Sequence, residues 1–165
     1  LVGVEQGIIL AVVLSLIDHT RRGYKPKNAL LVPEESGVLR AQPVATMAEA
    51  LPGLLIYRFT HSMYYANSQQ LTEEITALVN NAEPPLRWFC LDASAVDDVD
   101  YTAAETVRSI YKILKDKGIR LVVAQVLDDV REESRYKLRQ LFGEDAFYDT
   151  LDDVVKDYRK QTDQV

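Results

Sequence analysis

Strand-like and helix-like segments alternate along the chain, and the alternation predicts an α/β fold, a sheet with helices packed mainly on one face. Three observations carry it. Leu54 to Phe59, Arg87 to Asp92 and Ile119 to Val126 are short apolar runs rich in aromatic and β-branched side chains. The stretches between them place apolar residues at helical spacing. The connections are short, which implies parallel strands joined by right-handed crossovers.

The first element is different in kind. From Gly7 to Ile17 only glycine and serine interrupt an apolar run, and Asp18 is followed by His19, Arg21, Arg22, Tyr24, Lys25 and Lys27. A secretory signal places its basic residues before the apolar stretch, so the order here is wrong for one. A 17-residue helix reaches ~25 Å at ~1.5 Å per residue, short of a ~30 Å hydrocarbon core. Two readings remain, a buried core helix and the cytoplasmic end of a membrane helix. The basic cluster favours the second. The chain starts at Leu1 rather than Met, as a piece of a longer protein would, and residues 1–27 are expected to form that membrane exit.

Residues 28–52, with Pro33, Pro43 and Pro52, read as a linker with one short strand around Val38 to Ala41. The domain proper is expected over 53–165. Pro52-Gly53 is a turn before the first strong strand. Asn67 is a candidate N-cap for a helix carrying Leu71, Ile75, Leu78 and Val79, which Pro84-Pro85 ends. The strand ending at Asp92 leads into a loop holding Asp97, Asp98 and Asp100, in which Val96 and Val99 are expected apolar anchors. A helix with Ala103, Val107, Ile110, Tyr111 and Leu114 on one stripe follows, and Gly118 fits its left-handed terminus. The third strand is nearly continuous in β-branched residues, hence buried on both faces. Asp128 to Phe142 reads as a charged helix with Val130, Leu138 and Leu141 inward, closed by Gly143. Phe147-Tyr148 is a short edge strand, and Thr150 with Asp153 opens a last helix.

Composition narrows function. The 165 residues carry 19 basic and 25 acidic side chains, a net charge of −6, which disfavours a nucleic-acid binder. One cysteine excludes a disulfide framework and a Cys-based zinc site, and the two histidines lack metalloprotease spacing. No GxGxxG, P-loop or GxSxG motif occurs. The acids Asp92, Asp97, Asp98 and Asp100 could hold Mg²⁺, but they suit turns and helix starts equally well, and no metal site is expected. Arg58 within an apolar strand calls for an ion pair or an edge. One of Trp88 and Phe89 should face the core and the other a covering helix. Cys90 should be an inert buried thiol.

The loop before Tyr101 is more informative. Asp100 stands at or near an N-cap, leaving the amides of Tyr101, Thr102 and Ala103 at a helix start that can receive an anion or be switched by adding one. A capped helix and nothing more is the alternative.

Two motifs then carry a resemblance. Pro52-Gly53-Leu54-Leu55-Ile56-Tyr57-Arg58-Phe59 followed by Met63-Tyr64-Tyr65-Ala66-Asn67, and Leu91-Asp92-Ala93-Ser94 with Val99-Asp100-Tyr101-Thr102-Ala103, resemble the two signatures of the STAS domain of SulP-family anion permeases. Leu1 to Lys27 is similar to the last membrane helix and basic exit of those transporters. The resemblance implies a STAS fold with a mixed sheet of about four or five strands. It implies a non-enzymatic module on the cytoplasmic face of the cell membrane, regulating a sulfate or bicarbonate transporter of bacterial type. Its partners would be the transmembrane domain of the same polypeptide, met in part through Tyr64 and Tyr65, of which one is expected in the core. It also implies a possible GTP or ATP ligand at Ser94, Asp100, Tyr101, Thr102 and Ala103. Related anti-sigma-factor antagonists are phosphorylated on a serine directly after the helix-start Asp. Tyr101 occupies that position here, and Thr102 is the neighbouring candidate for a phospho-switch.

Overall fold

The computed structural model describes residues 3–23, 27–96, 98–127 and 138–163. Elements are labelled in chain order. α1 (Val4–Gly23) is followed by β1 (Ala29–Pro33), β2 (Leu39–Pro43), β3 (Leu54–Arg58) and α2 (Tyr65–Asn81). Then come β4 (Trp88–Asp92), α3 (Tyr101–Asp116), β5 (Arg120–Ala124), a helical turn at 138–142, β6 (Phe147–Tyr148) and α4 (Leu151–Thr162). The expected helix over Asp128 to Phe142 lies outside the described residues except for that turn, where Leu138 and Leu141 pack against the core. Val130 and Asp97 also fall outside them.

Among the described residues the sheet has six strands in the order β2-β1-β3-β4-β5-β6. β3, β4, β5 and β6 run parallel, while β1 is antiparallel to both β2 and β3. Each parallel step moves the same way across the sheet, so right-handed crossovers put α2 and α3 on one face. α4 follows the edge strand and covers the other.

Side-chain alternation sorts the core accordingly. Leu55, Tyr57, Phe89, Leu91, Leu121 and Val123 pack toward α2 and α3, and Leu54, Ile56, Trp88, Cys90, Val122 and Ala124 toward α4. Trp88 and Phe89 thus serve opposite faces, as their neighbouring positions require. Residues 28–52, expected as a linker with one strand, supply two. Glu34 to Gly37 turn the hairpin, with Gly37 at φ +83°, and Pro33 and Pro43 fall at strand ends where a missing amide is tolerated.

α1 stands apart. Ile9 is 64% exposed and Leu16 67%, and Ile8, Leu10, Val12, Val13, Leu14 and Ile17 are exposed as well, so no side of the helix is packed against the core. α1 is therefore not part of the core of the described domain. No described helix is long and apolar enough to cross a membrane.

Candidate functional site

The carboxyl ends of β3 and β4 carry the loops singled out in the sequence, and the fold brings them together. The Met63 amide donates to the Asp98 carbonyl at 3.0 Å and the Asp100 amide to the Met63 carbonyl at 3.2 Å, a bridge that pairs Met63 with Val99. Val96 is buried and Val99 packs against the same core, so both anchor the loop.

Asp100 is the N-cap of α3. Its Oδ1 accepts from the Ala103 amide at 2.7 Å, and its Oδ2 accepts from the Tyr65 amide, the first residue of α2, at 3.1 Å. One carboxylate thus satisfies orphan donors of two adjacent helices. The second bond spans 35 residues of sequence, and no local pattern announces it.

Asn67 is not the N-cap expected of it. α2 starts earlier, at Tyr65, with Tyr64 in the cap position. Asn67 is buried in the first turn, where its Oδ1 accepts from the Tyr64 amide at 3.0 Å and its Nδ2 donates to the Ser62 carbonyl at 2.9 Å. An amide side chain does from inside the helix what a cap does from outside it.

The remaining candidates fall in distinct places. Tyr101 is 77% exposed and Thr102 is exposed, both in the first turn of α3, and neither amide has an acceptor among the described residues. Ala103 is buried, and its amide is already held by Asp100. Ser94 lies at the other end of the loop, half-buried, its amide donating to Asp92 Oδ1 at 3.0 Å. Tyr64 and Tyr65 are both exposed, so neither is the core residue that one of them was expected to be. With Tyr101 they give the paired helix starts three outward-facing phenol rings.

Arg58 and Asp92, opposite one another on β3 and β4, form an ion pair with Nε 2.6 Å from Oδ2. Asp92 is wholly buried, and the guanidinium and the Ser94 amide compensate its carboxylate. This structural pairing accounts for the arginine in an apolar strand. Beneath the loop lies a cavity of about 40 Å³ lined by apolar side chains, among them Met63, Val96, Val107 and Phe142. Among the described residues no group of three His, Cys, Asp or Glu side chains could hold a metal ion. Burial pushes the Cys90 thiol up, with the Asp92 carboxylate adding to the effect, so the cysteine stays protonated.

A second acidic centre ties the chain after α1 to the domain. Glu74 Oε2 accepts from the Tyr57 hydroxyl at 2.6 Å and from Asn28 Nδ2 at 2.8 Å. Asn28 is buried, and the sequence reading did not single it out.

Comparison with known proteins gives one consistent result. The STAS domain family matches residues 45–154, from just after β2 to the first turn of α4. A Mycobacterium tuberculosis protein named "Probable sulfate transporter" is 30% identical over 162 residues, covering 96% of this chain and 29% of its own length. The chain thus spans under a third of that curated relative. Among solved structures, the murine Solute Carrier 26 family member A9 anion transporter, in its inward-facing state, matches with a TM-score of 0.75 at 14% identity, over 93% of this chain and 25% of that one. An anti-sigma factor antagonist in its unphosphorylated form matches with a TM-score of 0.52 at 12% identity, over 68% of this chain and 94% of that one. The two structural likenesses concern the fold. The chain belongs to the STAS-domain family, and its relatives include proteins named as sulfate transporters.

Proposed function

We propose that the chain is the cytoplasmic regulatory and interaction domain of a membrane anion transporter for sulfate or bicarbonate, without turnover of its own. The observation that carries this is α1. From Gly7 to Ile17 it is almost wholly apolar and its large apolar side chains are exposed, and it falls within the stretch shared with relatives named as transporters, whose match covers 96% of the chain. An all-round apolar helix is stable where lipid or other membrane helices surround it. Asp18, His19 and Arg21 then lie at the aqueous boundary, and the STAS domain hangs below it. Tyr64 and Tyr65 offer a contact surface toward the membrane part. Deleting residues 28–165 from the whole transporter is expected to lower anion uptake or the amount at the cell surface. Uptake and surface amount both unchanged would contradict the reading.

Within that role, the start of α3 is the proposed point of nucleotide sensing. The unengaged amides of Tyr101 and Thr102 are donors that a phosphate of GTP or ATP would meet. Asp98 and Asp100 oppose the charge, so binding should be weak or Mg²⁺-dependent. Titration with GTP should shift the amide resonances of Tyr101 to Ala104; no shift at millimolar GTP removes this part.

A second reading, a partner switch controlled by phosphorylation, is favoured by the exposure of Tyr101 and Thr102. A phosphate in the first turn gains from the helix dipole but sits near the Asp100 carboxylate, which would disturb the cap joining α2 and α3. Mass spectrometry after incubation with cell extract should find the loop peptide modified; an unmodified peptide counts against it.

A further inference from the structure

At the end of the sheet opposite Asp100 lies a groove of about 410 Å³. Its walls are the turn entering β3 (Leu51, Pro52), the Pro84-Pro85 turn before β4, and the last turn of α4. That volume is within the ~300–1,000 Å³ range of small-molecule sites. Two arginines line it, Arg87 and Arg159.

Among the described residues of the folded domain, the other arginines are engaged. Arg40, Arg58, Arg108 and Arg139 pair with Glu34, Asp92, Glu105 and Glu144. Arg120 lies over the Trp88 ring, 4.4 Å from its centroid, and donates to the Asp145 carbonyl at 2.9 Å. Arg87 and Arg159 have no carboxylate within ion-pair distance among the described residues, and both face the same groove. The helix dipole accounts for a cation at the end of α4 but not for Arg87, which arrives from the β4 side.

The groove is also firmly built. Gly53 at its base has φ +85°, and a Cβ there would stand 2.5 Å from the Tyr158 hydroxyl. That hydroxyl donates to the Pro52 carbonyl at 2.6 Å, and the Gly53 carbonyl accepts from the amides of Arg87 and Trp88. The nearby carboxylate of Glu49 accepts from the Gly53 amide at 2.7 Å and keeps its negative charge, so the two arginines must outweigh it. A rigid floor, apolar proline walls and two guanidinium groups without an ion-paired carboxylate among the described residues, on a chain of net charge −6, suit one class of ligand.

We propose that this groove binds a small organic oxyanion, a phosphate or carboxylate held between Arg87 and Arg159 with its apolar body against Pro84, Pro85 and Leu51. The site is separate from the start of α3, so its ligand and any nucleotide at Tyr101 would not compete for the same groups.

The test is an amide chemical-shift titration of the whole chain in mild detergent with adenosine monophosphate, citrate and inorganic phosphate in turn. At least one organic anion is expected to shift Gly53, Arg87 and Thr162, and to bind more tightly than inorganic phosphate. Arg87→Gln and Arg159→Gln should each weaken that binding by roughly tenfold, with the remaining resonances unmoved as evidence of an intact fold. No shift at the groove with any of the three, equal affinity for inorganic phosphate, or binding that survives both substitutions would overturn the proposal. Shifts confined to residues 101–104 would overturn it too, while supporting the nucleotide reading of α3.

Discussion

Asp100 shows how much a single side chain does here. Its two oxygens close the first turns of α2 and α3 together, so the position resists change more than an ordinary cap. Asp100→Ala should cost about 1–2 kcal/mol for the lost cap on α3, with the freed Tyr65 amide adding to it. Urea unfolding should show a lower midpoint with an unchanged slope; a midpoint equal to wild type would refute the shared cap. The tyrosines set the alkaline limit. Burial, then a hydrogen bond to Asp157, pushes Tyr148 up to about 12, and burial with the Glu74 hydrogen bond raises Tyr57 further. Both groups are neutral in the fold and ionise more readily when unfolded. Their contribution is therefore complete below the unfolded value of about 10 and declines as pH rises through 12. Stability measured by denaturant at stepped pH should fall across that window, and less steeply in Tyr148→Phe; no dependence above pH 10 would contradict the assignment.

Elements were legible in the sequence to the extent that their signals were local. The Gly118 and Gly143 helix ends, the Thr150 cap and the doubly buried β3, β4 and β5 follow from patterns a few residues long. β1 was not legible, because Ala29 to Pro33 is a five-residue run ending in proline whose strand character depends on pairing with β2 and β3. The start of α2 was misplaced because Asn67 reaches backward to Tyr64 rather than forward. In the site, Asp100 was found from its position before a helix, but its link to α2 was not, since topology alone brings Tyr65 to it. α1 has a direct consequence at this scale. The whole chain should float with liposomes in a density gradient, and a chain starting at residue 28 should stay in the aqueous fraction. Identical behaviour of the two would show that α1 has no affinity for lipid.

For the molecule as a whole, the sheet separates two working ends. The paired starts of α2 and α3 carry the exposed tyrosines and the nucleotide candidate, while the opposite end carries the arginine groove. The Asn28, Tyr57 and Glu74 contacts tie the start of the folded domain to β3 and α2, and α2 shares Asp100 with α3. The proposed function puts the domain on the cytoplasmic side of the membrane. Protease accessibility in sealed vesicles bearing the full-length transporter measures this placement. Protease should remove residues 28–165 from inverted vesicles, whose cytoplasmic face is outward, and leave them intact in right-side-out vesicles. Cleavage of the domain in sealed right-side-out vesicles would contradict the account.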